Sequence, residues 1–205
     1  LIIKDEKDFN KILSLINYSK RNKVPVALLC KRGVLTDHKK KNHKNNDKFP
    51  SREEIILEIL ENIKKKDKVI ATTGYTSREL FQLRKVYKKN KGKDFYMVGG
   101  MGHSSMVALG VSLKSKNNII CLDGDGSLLM HMGGVATAGA FGKKNYKYIL
   151  LNNSTHESVG GQKTIADQVD FSLFSKSLNY KSYFLIKNKK NLKKTIRNFL
   201  KSKGP

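Results

Sequence analysis

Two aspartates flank a single glycine where an apolar run ends, in the stretch IICLDGDGS at 119–127. A carboxylate at the end of a buried strand is costly unless donors or a positive charge meet it. After the triplet Gly124-Asp125-Gly126 come 25 residues and then a second polar interruption, Asn152-Asn153 in YILLNNS. An aspartate carboxylate, an asparagine amide oxygen and a main-chain carbonyl just beyond would together be hard oxygen donors. Such donors suit Mg²⁺, which takes octahedral oxygen ligation and usually shares its ligands with phosphates. Main-chain amides where Ser127 opens a helix would meet those phosphates. A turn capped by Asp125 with no metal is the alternative. On an unbroken strand Asp123 and Asp125 would share a face, a regularity the glycines are expected to break.

Other chemistries do not fit the residues. Aligning a P-loop on Gly142-Lys143 puts Thr137 at its first glycine and Lys144 at its Ser/Thr. No G-x-G-x-x-G occurs in a strand-to-helix turn, and no G-x-S-x-G elbow supports a hydrolytic triad from Ser104, His103 and Asp125.

The elements that must position these residues are legible from periodicity. Residues 5–22 carry Phe9, Ile12, Leu13, Leu15 and Ile16 on about one helical face. VPVALLCKRG at 24–33 reads as a short buried strand, and polar, aperiodic 36–49 as a linker. Ser51 with Glu54 forms a capping box ahead of a stripe at Ile55, Ile56, Ile59, Leu60 and Ile63. Beyond it, strands are expected at 68–74, 94–100, 117–126, 146–154 and 182–186. Helices are expected between and after them, one of them continuous over 127–142 and one beginning near Asp170. This alternation predicts an α/β fold with a parallel sheet flanked by helices on both faces. Ligands of such sheets bind outside the carboxyl ends of the strands. The loops there hold the unusual residues: TTGYTS, GGMGHSS, GDGS and NNSTHESVGGQ.

Bulk properties narrow the class. The chain has 205 residues and a net charge of +24. Its lysines are scattered and accompanied by asparagine, with no interleaved aromatics, so they read as a solvated surface rather than a nucleic-acid stripe. A basic surface also draws anionic substrates. No apolar run reaches the roughly 18 residues of a membrane span. Two buried, reduced thiols at Cys30 and Cys121 are expected, in a reducing, cytoplasmic compartment. The opening LIIKDEKDF is no signal peptide and suggests a start inside a longer protein.

The GDG-25-NN spacing, with both halves at strand ends and a helix between, resembles the signature of thiamine-diphosphate enzymes. The resemblance covers 50–205, the diphosphate-binding domain, and makes 1–35 the tail of a preceding pyrimidine-binding domain. It implies thiamine diphosphate and Mg²⁺ as cofactors, with Asp125, Asn153 and the carbonyl of Thr155 as metal ligands. Thr73, Gly74, Thr76, Gly124, Gly126 and Ser127 would surround the diphosphate. In GGMG, Met101 would prop the bent thiamine, beside Gly99 and Gly100, with the Gly99 carbonyl accepting from its amino group.

LLNNSTHESVGGQKT and GGMGHSS are most similar to the loops of phosphonopyruvate decarboxylases. Sulfopyruvate decarboxylases share GGQKT. The implied activity is non-oxidative decarboxylation of an anionic 2-oxo acid, phosphonopyruvate giving phosphonoacetaldehyde and CO2 in phosphonate biosynthesis. A sulfopyruvate decarboxylase β subunit or a non-catalytic cofactor-domain fragment are the alternatives. His156 and His103 are candidates for proton transfer, and Ser158, Gly160, Gly161, Gln162 and Lys163 for contacts to the phosphonate. The activating glutamate is expected outside this segment, in the pyrimidine-binding domain of the same or a partner chain, within a homo- or hetero-oligomer.

Overall fold

The computed structural model describes residues 1–35, 48–87 and 93–205. The chain divides into two units, Leu1–Asn45 and Asn46–Pro205. Most of the predicted linker, 36–47, lies outside the described residues.

In the first unit a two-residue strand β1 (Ile2–Ile3) pairs in parallel with β2 (Leu29–Cys30), Ile2 opposite Leu29. Helix α1 (Asn10–Asn22) connects them and ends at Lys23 in the left-handed region (φ 54°). The predicted buried strand at 24–33 is corrected here: only Leu29 and Cys30 pair, and both are exposed. Cys30 is therefore an exposed thiol, while Cys121 is buried as expected. The reason is local, since a two-stranded ladder consists of edges only and β1 offers just two residues to pair with.

The second unit holds a four-stranded parallel sheet of order β4-β3-β5-β6, made of β3 (Lys68–Ala71), β4 (Phe95–Tyr96), β5 (Ile119–Gly124) and β6 (Tyr146–Leu151). Strand β5 is central and buried from Ile119 to Asp123, as an apolar run covered on both faces must be. Its alternate residues enter two cores. Ile120 and Leu122 pack with α2 (Arg52–Asn62), α3 (Tyr75–Tyr87) and α8 (Leu192–Lys201) through Ile56, Ile59, Leu80 and Ile196. Ile119 and Cys121 pack with α4 (Ser104–Lys114) and α6 (Met132–Phe141) through Ala108, Leu109 and Ala138. The capping box of α2 forms, with Ser51 Oγ accepting from the Glu54 amide and the Glu54 carboxylate accepting from the Ser51 amide. Lys189 Nζ reaches the same Glu54 carboxylate at 2.9 Å.

Two predicted elements change. The helix over 127–142 is two helices, α5 (Asp125–Met130) and α6, broken at His131, whose backbone leaves helical geometry (φ −142°, ψ 51°). The predicted strand at 182–186 makes no ladder. Its apolar residues instead line an apolar space beside β6 with Phe171 and Phe174 of α7 (Phe171–Ser177). Asp170 caps α7, accepting from the Ser172 and Leu173 amides. No helix among the described residues is long and apolar enough to cross a membrane.

Chain order sets the place for a site. From β3 the chain moves outward to β4, then returns across β3 to β5. The carboxyl ends of β3 and β5 therefore diverge at a switch point, where open parallel sheets leave a crevice.

Candidate active site

A cleft of about 210 Å³ lies at that switch point. Its walls are the loop after β3 (Thr72 to Thr76), Met101, the β5–α5 junction (Gly124 to Ser127) and the loop after β6 (Asn153, Thr155 to Val159). Thr73, Gly74, Thr76, Met101, Gly124, Asp125, Gly126, Ser127, Asn153, Thr155 and His156 are thus brought together. Gly99, Gly100 and His103 are not in the wall. His103 is exposed, its Nδ1 3.2 Å from the Met101 carbonyl and its ring centroid 4.3 Å from that of His131.

Asp125 is 2% exposed. Its Oδ2 accepts from Thr164 Oγ1 at 2.5 Å, and no described donor meets Oδ1. The carboxylate is thus held by one oxygen with the other open toward the cleft wall. Asp123, two residues earlier, is fully buried and turned away. It accepts from the Gly124 amide at 3.0 Å and from the Tyr148 hydroxyl at 3.0 Å. Burial first, and the Asp123 charge second, hold the Tyr148 hydroxyl well above its usual pKa.

Behind the wall, Ser127 Oγ ties the loops together. It lies 2.9 Å from Thr72 Oγ1 and accepts from the Gly102 amide at 2.9 Å, fixing the GGMG loop to α5. Thr73 Oγ1 donates to the Val98 carbonyl at 2.8 Å. Gly74 has φ +92°, and a Cβ there would come within 2.9 Å of Ser158 Oγ, so this turn needs glycine twice over. A Cβ on Gly126 would fall 2.4 Å from the ring of His156 and 3.3 Å from the terminal methyl of Met101. His156 and Met101 therefore both close over the start of α5.

The loop after β6 is folded back on itself. Asn153 Oδ1 accepts from the Thr155 amide at 3.1 Å, and Ser154 takes a left-handed φ of 55°. Thr155 bridges antiparallel to Lys163, and the Thr164 amide donates to the Ser154 carbonyl at 3.0 Å. That fold carries Thr164 back to Asp125. Ser158 lines the cleft, while Gly160, Gly161, Gln162 and Lys163 do not.

Charged groups rim the cleft. Arg52 forms a two-pronged bond to Glu79 at 2.7 and 2.8 Å and reaches Glu157 at 3.0 Å. Burial works against the Arg52 charge, but its bonds to these two carboxylates outweigh it and raise its pKa. Glu157 also accepts from Asn153 Nδ2 at 3.3 Å. Arg52 and Arg78 both lie over the ring of Tyr75, at 5.5 and 5.6 Å from its centroid. Sequence reasoning did not single out Thr164, Arg52, Tyr75 or Arg78 as cleft residues. Arg52 was hidden inside a capping turn, and Thr164 by its distance along the chain from Asp125. Among the described residues no group of three or more His, Cys, Asp or Glu could hold a metal.

Known proteins match this architecture. The chain is 39% identical to the sulfopyruvate decarboxylase subunit beta of Methanocaldococcus jannaschii, covering 57% of this chain and 59% of that protein. It is 33% identical to the phosphonopyruvate decarboxylase of Streptomyces viridochromogenes, covering 76% of this chain and 38% of that protein. With the sulfopyruvate decarboxylase subunit beta of Methanococcus maripaludis the identity is 32%, over 73% of this chain and 77% of that protein. The chain thus spans about three fifths and two fifths of the first two relatives. A solved Mycobacterium smegmatis protein described as thiamin diphosphate-dependent shares the fold, with a TM-score of 0.60, 17% identity, and coverage of 76% of this chain and 30% of that one. Residues 72–205 match the family described as thiamine pyrophosphate enzyme, C-terminal TPP binding domain, and the chain belongs to that family.

Proposed function

We propose that this chain anchors thiamine diphosphate through Mg²⁺ and serves the non-oxidative decarboxylation of phosphonopyruvate to phosphonoacetaldehyde and CO2. The observation that carries this reading is the half-open Asp125 carboxylate in the cleft, with Asn153 and Thr155 in the same wall. The donors present are a carboxylate oxygen, an amide oxygen and the Thr155 carbonyl. That set fits a hard divalent cation shared with a diphosphate. Thr73, Gly74, Thr76, Gly124, Gly126 and Ser127 would surround the diphosphate, the small residues leaving it room.

When bound, thiamine diphosphate supplies the carbon nucleophile and the electron sink that decarboxylation of a 2-oxo acid needs. The chain's own residues grip and orient. Thr164 holds Asp125 in place, and the Ser127 hydroxyl keeps Met101 at the cleft wall, where it would prop the bent cofactor. Gly99 and Gly100, on the exposed part of that loop, are left for the ring end of the cofactor. His156 is the histidine of the cleft wall, and proton handling is assigned to it rather than to His103. The pyrimidine-binding half, with its activating glutamate, is assigned to another domain or subunit, in a cytoplasmic oligomer. The first unit fits a fragment of such a domain: no residue of α1 is buried and Leu13 is 69% exposed.

A sulfopyruvate decarboxylase β subunit is the second reading, favoured by the greater share of those relatives that the chain spans. The chain combined with a pyrimidine-binding partner, Mg²⁺ and thiamine diphosphate decides between them. CO2 release from phosphonopyruvate at least 10-fold faster, by kcat/KM, than from sulfopyruvate is expected. The reverse ratio selects the second reading, and release from neither overturns both.

A further inference from the structure

Resting on the proposed function, we infer that Arg78 is the specificity-determining cation of the cleft, binding the tetrahedral oxyanion on the third carbon of the 2-oxo acid. A phosphonate or sulfonate needs a cationic donor that is free to turn toward it. Two arginines line the cleft, and they differ in this respect. Arg52 is taken up by Glu79 and Glu157. Arg78 meets no carboxylate among the described residues, and its guanidinium rests over the Tyr75 ring at 5.6 Å. A ring held against a guanidinium steadies the group while leaving N–H donors for a ligand. The planar fork then matches two oxygens of a tetrahedral anion at once, which the point charge of a lysine cannot do.

Position supports the same choice. Arg78 stands in the first turn of α3, on the wall formed by the loop after β3, whereas Asp125 and the oxygen donors stand on the β5 and β6 walls. Arg78 is thus on a different wall from the metal donors, one turn of α3 beyond the loop assigned to the diphosphate. Lys163, the sequence-based choice for this role, is exposed like Arg78 but bridges to Thr155 through its backbone and lies outside the cleft wall.

Isothermal titration tests the inference on the chain loaded with Mg²⁺ and thiamine diphosphate, with phosphonoacetate and sulfoacetate as probes. Arg78→Gln is expected to weaken the probes at least 20-fold while thiamine diphosphate affinity stays within twofold. Arg78→Lys is expected to fall between. In the complex with the pyrimidine-binding partner, the KM of the 2-oxo acid should rise in parallel and kcat change less. The preferred probe tells phosphonate from sulfonate. Probe binding indifferent to Arg78→Gln overturns the inference, as does a wild-type chain that binds neither probe. A 10-fold loss of thiamine diphosphate affinity overturns it too, by placing Arg78 on the diphosphate. Failure of the wild-type chain to bind thiamine diphosphate instead sinks the proposed function, and the probes titrated without cofactor then decide on Arg78 alone.

Discussion

Asp123 and Asp125 are two residues apart and equally hidden from water, at 0% and 2% exposure, yet they meet opposite surroundings. Asp123 ends a strand and is sealed into the body of the domain by the Tyr148 hydroxyl and the Gly124 amide. Asp125 starts a helix and keeps one oxygen unused beside the cleft. The strand-to-helix change at Gly124 turns the second carboxylate away from the first. Burial alone therefore says little about a charged group; what its remaining lone pairs face decides whether it serves the fold or a ligand.

The comparison predicts an inversion between two variants. Asp123→Ala strands the Tyr148 hydroxyl in dry surroundings and should cost about 1–3 kcal/mol in urea unfolding. Asp125→Ala removes a carboxylate with one unmatched oxygen and should change the stability of the cofactor-free chain by less than about 1 kcal/mol. Equal losses would erase the distinction. The sealed side also has a signature in alkali. Burial first holds Cys121, Tyr146 and Tyr148 well above their usual pKa values. Their neutral forms are favoured only in the folded chain, so the folded state holds more protons once the unfolded groups ionise. Stability should therefore fall as pH rises above about 9–10, with Tyr146 and Tyr148 ionising only on unfolding, read by tyrosinate absorbance.

A smaller effect sharpens the open side. Thr164→Val removes the bond to Asp125 Oδ2 and frees the carboxylate to swing. Thiamine diphosphate affinity should drop about 5-fold, equivalent to about 1 kcal/mol, with the urea midpoint nearly unchanged. An unchanged affinity would remove Thr164 from the account.

Much of this was legible because it follows from backbone geometry. The GDG break and the NN pair each end an apolar strand run, and parallel topology brings those ends together. Gly74 and Met101 stand in the turns after strands, Met101 among three glycines, for reasons of space that the residue types disclose. Thr164 was not legible, because it reaches Asp125 from 39 residues away through a loop that folds back on itself. Arg52 and Arg78 look like ordinary solvated charges on helices; only the placement of α2 and α3 against the cleft distinguishes them. The apolar SYFLI stretch has the composition of a strand but forms no ladder beside β6, since composition does not secure a hydrogen-bonding partner. His131 hides its helix break because histidine tolerates helix and bend alike.

The most direct test is titration of thiamine diphosphate into the chain with and without Mg²⁺, for the wild type and Asp125→Ala. Binding that requires Mg²⁺ and weakens at least 100-fold in the variant is the predicted result. Binding of equal strength in the variant, or without the metal, would contradict the assignment of Asp125 as the anchor.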